Sequence, residues 1–316
     1  MLSIQDITKK YEECTIIKNV NLNINKGIIY GLIGYNGTGK TTLLKTICGV
    51  LKPDAGTVLL DGQVVFDNAT AKEQILYVPD NPYWLPHGSM KKMAKFYQGY
   101  YPNWNEGLFV NLVKLFDLNV NKRLKSFSKG MQRQASIILA LSTGASYLLL
   151  DETFDGLDPL VREKVRELLK SAVEKAGVSI LVASHNLSEL EQICKSIALI
   201  RDKTLTEDIY KENELNNANK FHITFENRSD ARSFLDELNY DLHLDVHLGL
   251  IGNQLKGNDL IFIAHIPEKD IRSYIFSNEK AKNKVKKFEV NKLTLEEMIV
   301  IDGTKNQDKV DYSSFF

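Results

Sequence analysis

The sequence predicts an α/β protein with an N-terminal antiparallel β-layer, a mostly parallel core sheet carrying a helical insertion, and a small α+β domain toward the C-terminus. Three observations predict it. The apolar run 28–33 feeds a glycine-rich turn and then Lys40-Thr41-Thr42-Leu43-Leu44, the order of strand, phosphate loop and helix. The runs 147–150 and 179–183 are apolar throughout, as parallel strands buried on both faces are. Beyond about Lys203 the composition shifts to Asn- and Lys-rich segments alternating with short apolar runs, which marks a second domain.

The elements follow in order. Up to about Lys26, alternating runs such as Val20-Asn21-Leu22-Asn23-Ile24 read as half-exposed strands closed by an Asn25-Lys26-Gly27 turn. After the loop helix, Pro53 and Gly56 break the chain, 57–62 makes a strand with a tight turn, and 74–78 makes another that Pro79 stops. From Ser89 to Leu118 the apolar spacing turns helical, and 131–142 is a further helix; together these form a helical subdomain at about 88–142. A helix over 159–176 is the crossover between the runs at 147 and 179. In the second domain, 203–303, strands are expected at 221–225, 244–248 and 260–264 and helices at 229–238, 268–276 and 294–301, with a flexible tail over 304–316.

Composition excludes several function classes. The chain has 316 residues with 43% hydrophobic content, enough for a large domain and a smaller one. Lys plus Arg and Asp plus Glu are both 40, so there is no net basic field of the kind a dedicated nucleic-acid binder carries, and no nucleic acid is expected as a partner. Cys14, Cys48 and Cys194 are scattered and lack metal-ligand spacing, which fits small hydrophobes in a reducing compartment. The first residues, with Asp6, lack the pattern of a secretory leader. The most apolar stretch, 135–150, is too broken to span a membrane, so any membrane passage belongs to another chain.

Gly34 through Gly39-Lys40-Thr41 fits G-x-x-x-x-G-K-[ST]. Its glycines let the backbone N–H groups of Tyr35, Asn36, Gly37, Thr38, Gly39, Lys40, Thr41 and Thr42 close around phosphate, with the helix dipole behind them. Lys40 reaches the β- and γ-phosphates, and Thr41 ligates Mg²⁺. The bound species is a nucleoside triphosphate.

Asp151 and Glu152 end a buried strand at its carboxyl edge, where open α/β sheets bind ligands. Asp151 is placed to hold Mg²⁺ and Glu152 to polarise the attacking water. A strand ending in a solvated Asp-Glu is the ordinary reading of that segment alone; an upstream phosphate loop reverses it. His185 ends the next strand, either as a γ-phosphate sensor or as a satisfied polar side chain. Ser128, before Lys129-Gly130-Met131-Gln132, starts a helix and is either an ordinary N-cap or a second anion-binding helix start with Gly130.

In order and spacing, residues 2 to 202 resemble the nucleotide-binding subunit of an ATP-binding cassette (ABC) transporter. Ser128 to Gln132 resembles that family's signature motif in the variant found in bacterial multidrug and antibiotic-export ATPases. The segment 293–299 is similar to one near the C-terminus of those ATPases.

The resemblance implies an ATP-hydrolysing subunit with ATP and Mg²⁺ as ligands. It also implies a head-to-tail dimer, with itself or with another ABC ATPase, in which one phosphate loop faces the partner's Ser128–Gly130 segment. A separate transmembrane permease then holds the protein on the inner face of the cell membrane, and transport in the export direction is implied. Import ATPases with a β-rich C-terminal domain, cassette ATPases acting on nucleic acid or ribosomes, and poorly hydrolysing nucleotide sensors are the alternatives.

Tyr11 resembles the aromatic that stacks on adenine, while its chemistry equally fits a tyrosine packed on a sheet. Residues 156–158 resemble the loop that crosses between subunits. Two positions depart from the family. Asp80 stands where glutamine is usual after Tyr77-Val78-Pro79; it offers a hard oxygen ligand to Mg²⁺, yet its charge opposes a triphosphate. Thr153 replaces a common proline. The aromatics Tyr83, Trp84, Phe96, Tyr97, Tyr100, Tyr101 and Trp104 form either the core of the helical insertion or a groove for a permease helix.

Overall fold

The computed structural model describes residues 1–206, 218–242, 250–277, 282–293 and 297. Two compact units divide the chain, one over Met1–Ile209 and the other over Tyr210–Phe316.

The first unit begins with β1 (Leu2–Tyr11) and β2 (Cys14–Ile24), an antiparallel hairpin whose alternating apolar residues face inward. β3 (Ile29–Ile33), buried along its whole length, leads into α1 (Lys40–Ile47). β4 (Ala55–Leu60) and β5 (Gln63–Val64) complete an antiparallel sheet of order β2-β1-β4-β5. The short α2 (Ala69–Lys72), capped by the Asn68 side chain, precedes β6 (Ile75–Val78).

The helical subdomain follows: α3 (Met90–Gln98), α4 (Glu106–Leu115) and α5 (Lys129–Ser142), whose N-cap side chains, Ser89, Asn105 and Ser128, accept from the first-turn N–H groups of Lys92, Leu108 and Met131 respectively. β7 (Tyr147–Asp151) and β8 (Ser179–Ser184) are joined by α6 (Pro159–Ala176), which Asp158 caps and which ends at Gly177 in the left-handed region. The sequence reading named neither α7 (Leu187–Glu191) nor β9 (Ser196–Arg201) nor β10 (Thr204–Thr206). Because β10 pairs with β9, this unit runs past residue 202, the boundary that composition placed there.

The core sheet has the order β10-β9-β3-β8-β7-β6, parallel except for β10. Leu43, Leu44 and Ile47 of α1 fill one hydrophobic core with Leu2, Ile17 and Leu22 of the antiparallel layer and Leu32, Leu149 and Leu181 of the parallel sheet. That packing fixes the phosphate-loop helix between two sheets.

The second unit contains β11 (Asn219–Phe225), α8 (Arg228–Leu242), β12 (Leu250–Lys256), β13 (Asp259–Ala264), α9 (Glu268–Ser277) and β14 (Val285–Lys292). Its antiparallel sheet, ordered β12-β13-β11-β14, has the βαββαβ arrangement of ferredoxin-like domains. Phe221, Phe225 and Phe262 pack under Phe234, Leu235 and Ile271 of the helices. The strand expected at 244–248 lies outside the described residues, as do the tail at 304–316 and, apart from Glu297, the helix expected at 294–301.

Candidate nucleotide-binding site

The loop between β3 and α1 is shaped by close backbone packing. A Cβ on Gly34 would stand 2.6 Å from Ile200 Cγ2 and 2.8 Å from the Ile200 carbonyl oxygen, so only glycine lets β3 leave the sheet beside β9. Gly39 has φ 104°, and a side chain there would meet Ile17 at 2.8 Å. The first turn of α1 has no side-chain cap, so its N–H groups lack the usual local acceptor. Tyr35, Asn36 and Gly37 are exposed, and the Thr38 hydroxyl donates to the Tyr35 carbonyl at 2.9 Å.

Lys40 is buried, with its Nζ donating to the carbonyls of Gly34 at 2.5 Å and Tyr35 at 3.3 Å and lying 3.2 Å from Glu152 Oε1. Thr41 Oγ1 donates to Asp151 Oδ2 at 2.7 Å. The Tyr77 phenol donates to the same oxygen at 2.9 Å. No sequence motif marks Tyr77; its signal is a tyrosine near the end of the strand that pairs with β7, Tyr77 opposite Leu149. Burial holds the Tyr77 phenol in its protonated, donating form and raises the Asp151 carboxyl above the ordinary aspartate value, while Thr41 and Tyr77 oppose the rise. Asp151 is only 1% exposed, and its Oδ1 has no hydrogen-bond partner.

Glu152 follows with φ 48°, its N–H donating to the Ala183 carbonyl at 2.9 Å. This left-handed turn at the strand end costs roughly 1 kcal/mol, and it brings the carboxylate back over the sheet edge. Glu152 Oε2 accepts from the His185 N–H at 3.3 Å and lies 2.9 Å from His185 Nδ1. Asp155, also unforeseen, joins Glu152 and His185 with ligand atoms all within 4.8 Å of one another.

The structure thus gathers Lys40, Thr41, Asp151, Glu152 and His185 at the carboxyl ends of β3, β7 and β8. Tyr11 ends β1 at the tip of the hairpin whose Ile16 and Ile17 press on Gly39; it is exposed, with Lys9 Nζ 5.7 Å from its ring centre.

Asp80 is not brought in as a bare metal ligand. Its Oδ1 pairs with Arg133 Nη2 of α5 and its Oδ2 accepts from Asn81 Nδ2 at 2.8 Å, so both oxygens already have donors from this chain. Ser128 is exposed at the start of α5, its hydroxyl accepting from the Met131 N–H at 3.2 Å. Gly130 packs against the loop at Gly156, whose carbonyl oxygen a Gly130 Cβ would meet at 3.0 Å.

The aromatic group does not act as one: Tyr83 is exposed and Trp104 donates to Glu106 Oε2 at 2.8 Å. Trp84 is 5% exposed and donates to Gln132 Oε1 at 2.9 Å, which makes it core rather than groove. Phe96, Tyr97, Tyr100 and Tyr101 instead line a cavity of about 500 Å³ beside Lys72 of α2.

The fold and this site define a phosphate-loop ATPase cassette. Residues 17–155 match the family model described as ABC transporter. The ABC transporter ATP-binding protein YtrB of Bacillus subtilis (strain 168) is 31% identical over 207 residues, 65% of this chain and 70% of its own. The lantibiotic transport ATP-binding protein SrtF of Streptococcus pyogenes is 32% identical over 220 residues, 68% of this chain and 93% of its own. A dimeric post-hydrolysis state of the ATP-binding cassette MJ0796 bound to ADP and Pi shares the fold, with a TM-score of 0.58, 24% identity and coverage of 66% of this chain and 98% of that one. The chain belongs to the ABC transporter family, as a nucleotide-binding ATPase subunit. Among the described residues no helix is long and apolar enough to cross a membrane.

Proposed function

We propose that the protein hydrolyses ATP at a head-to-tail dimer interface to drive transport, in the export direction, through a separate membrane permease. The observation that carries this reading is the convergence of Lys40, Thr41, Asp151, Glu152 and His185 on one sheet edge, with the pairs Lys40–Glu152, Thr41–Asp151 and Glu152–His185 all in contact.

Lys40 and the uncapped start of α1 bind the phosphates. Thr41 and Asp151 are hard-oxygen donors, and the buried, unpartnered Asp151 Oδ1 fits a role in holding Mg²⁺. When bound, Mg²⁺ supplies charge neutralisation on the phosphate oxygens. Glu152 orients and deprotonates the attacking water, and His185, held on Glu152 Oε2, contacts the γ-phosphate. Tyr11, exposed at the hairpin tip, stacks on adenine.

The exposed Ser128 and the start of α5 face the partner's phosphate loop, so that ATP joins the two subunits and loss of the γ-phosphate lets them part. The dimer of the structural neighbour and the transport role of the SrtF relative support this reading, as does the export-like Ser128-Lys129-Gly130-Met131 segment. The groove at Phe96, Tyr97 and Tyr100 receives a cytoplasmic helix of the permease, an apolar helix-in-groove contact.

Purification from detergent-solubilised membranes tests the proposal. A membrane protein is expected to co-purify and to be lost in Tyr100→Ala; co-purification with RNA instead would contradict it.

A further inference from the structure

The loop after β6 is fastened to the signature-bearing helix at two neighbouring points. Asp80 pairs with Arg133, and Trp84 donates to Gln132, whose amide in turn donates to the Phe127 carbonyl at 3.0 Å. The same loop leaves the core sheet beside the metal-side carboxylate, because Val78 pairs with Leu150 and Tyr77 reaches Asp151. Asp80, two residues beyond Val78, therefore sits at the edge where the phosphates would bind. An uncompensated carboxylate at that edge opposes a triphosphate. Arg133 is largely buried against Asp80, with 13% of its side chain exposed, and supplies the compensating charge.

We infer that Arg133 is a positioning and charge-screening residue of the nucleotide site: by holding Asp80 on α5 it allows an acidic side chain to occupy the loop after β6 without opposing ATP. This rests on the nucleotide-site reading proposed above. It explains how the chain tolerates a carboxylate at this position, and it links the loop, the signature helix and the phosphate edge through one ion pair. Asp80 is half-exposed, so the pair is screened by solvent and its effect on affinity is moderate.

The test is isothermal titration of the full-length chain with ATP, with Mg²⁺ and separately with EDTA, for the wild type, Arg133→Gln, Asp80→Asn, the double variant and Arg133→Lys. Arg133→Gln, which exposes the Asp80 charge, is expected to lose roughly three- to tenfold in ATP affinity in both conditions, less so at high salt. Asp80→Asn is expected to bind within about twofold of wild type and to restore the Arg133→Gln background to that level. Arg133→Lys, keeping the charge, is expected to stay near wild type, which separates screening from any folding defect of Arg133→Gln.

Equal losses in Asp80→Asn and Arg133→Gln with no rescue in the double variant would make the pair a mere staple and overturn the inference. Unchanged affinity in Arg133→Gln would overturn it too while leaving the nucleotide site standing. A wild-type chain that does not bind ATP would overturn the site itself.

Discussion

Lys40 Nζ lies 3.2 Å from Glu152 Oε1, joining the phosphate loop to the end of β7 through a pair of largely buried charges. Elements more than a hundred residues apart thus place a cation and a carboxylate at one point. Lys40 Nζ also donates to the Gly34 and Tyr35 carbonyls, so a phosphate that engages it displaces one of these three acceptors.

Lys40→Ala removes the cation that this pair presents. ATP affinity is expected to fall by about tenfold or more, as for loss of a charge-assisted hydrogen bond. A binding titration checks it, and wild-type affinity would remove the phosphate-loop assignment.

Tyr77→Phe deletes one of the two donors to Asp151 Oδ2 inside the protein. Leaving that carboxylate short of a donor is expected to lower unfolding stability by about 1–3 kcal/mol, measured by urea denaturation. A variant as stable as wild type would mean that water replaces the phenol at no cost.

Gly34→Ala places a methyl 2.8 Å from the Ile200 carbonyl oxygen, a backbone atom with little room to yield. Overpacking here is expected to cost about 1–3 kcal/mol and to abolish tight ATP binding by displacing the loop. Thermal unfolding with and without ATP reads both effects.

Brief alkylation of the native protein with iodoacetamide is expected to modify Cys14, which is exposed, and to spare Cys48 and Cys194. Burial pushes the Cys48 thiol up to about 11 and the Cys194 thiol higher still, so neither holds appreciable thiolate at neutral pH. Peptide mass spectrometry reads the sites.

The phosphate loop, the Asp151-Glu152 pair and the parallel strands β3, β6, β7 and β8 were legible because each is local: glycine spacing, an apolar run and a charged strand end. Tyr77 and Arg133 were not, because their significance lies in what they touch, Asp151 and Asp80, and no spacing rule ties position 77 to 151 or 133 to 80. Asp80 itself stands out in the sequence, as a hard oxygen ligand whose charge opposes a triphosphate, but its pairing with Arg133 does not, since that partner on α5 is supplied by tertiary packing.

The aromatics from Tyr83 to Trp104 read from sequence as one group, either core or groove, whereas packing splits them: Trp84 turns inward onto Gln132 and Tyr100 stays at the surface. In the second unit, β14 escaped notice because Lys286, Lys287 and Glu289 interrupt its apolar residues, and β12 because Gly252 and Asn253 weaken its pattern.

Steady-state ATP hydrolysis by Glu152→Gln, measured beside its ATP affinity, tests the central claim most directly. The substitution keeps the side-chain shape and removes the base, so ATP binding is expected to persist while turnover falls by roughly a hundredfold or more. Hydrolysis at the wild-type rate would contradict the assignment of Glu152 as the residue that activates water.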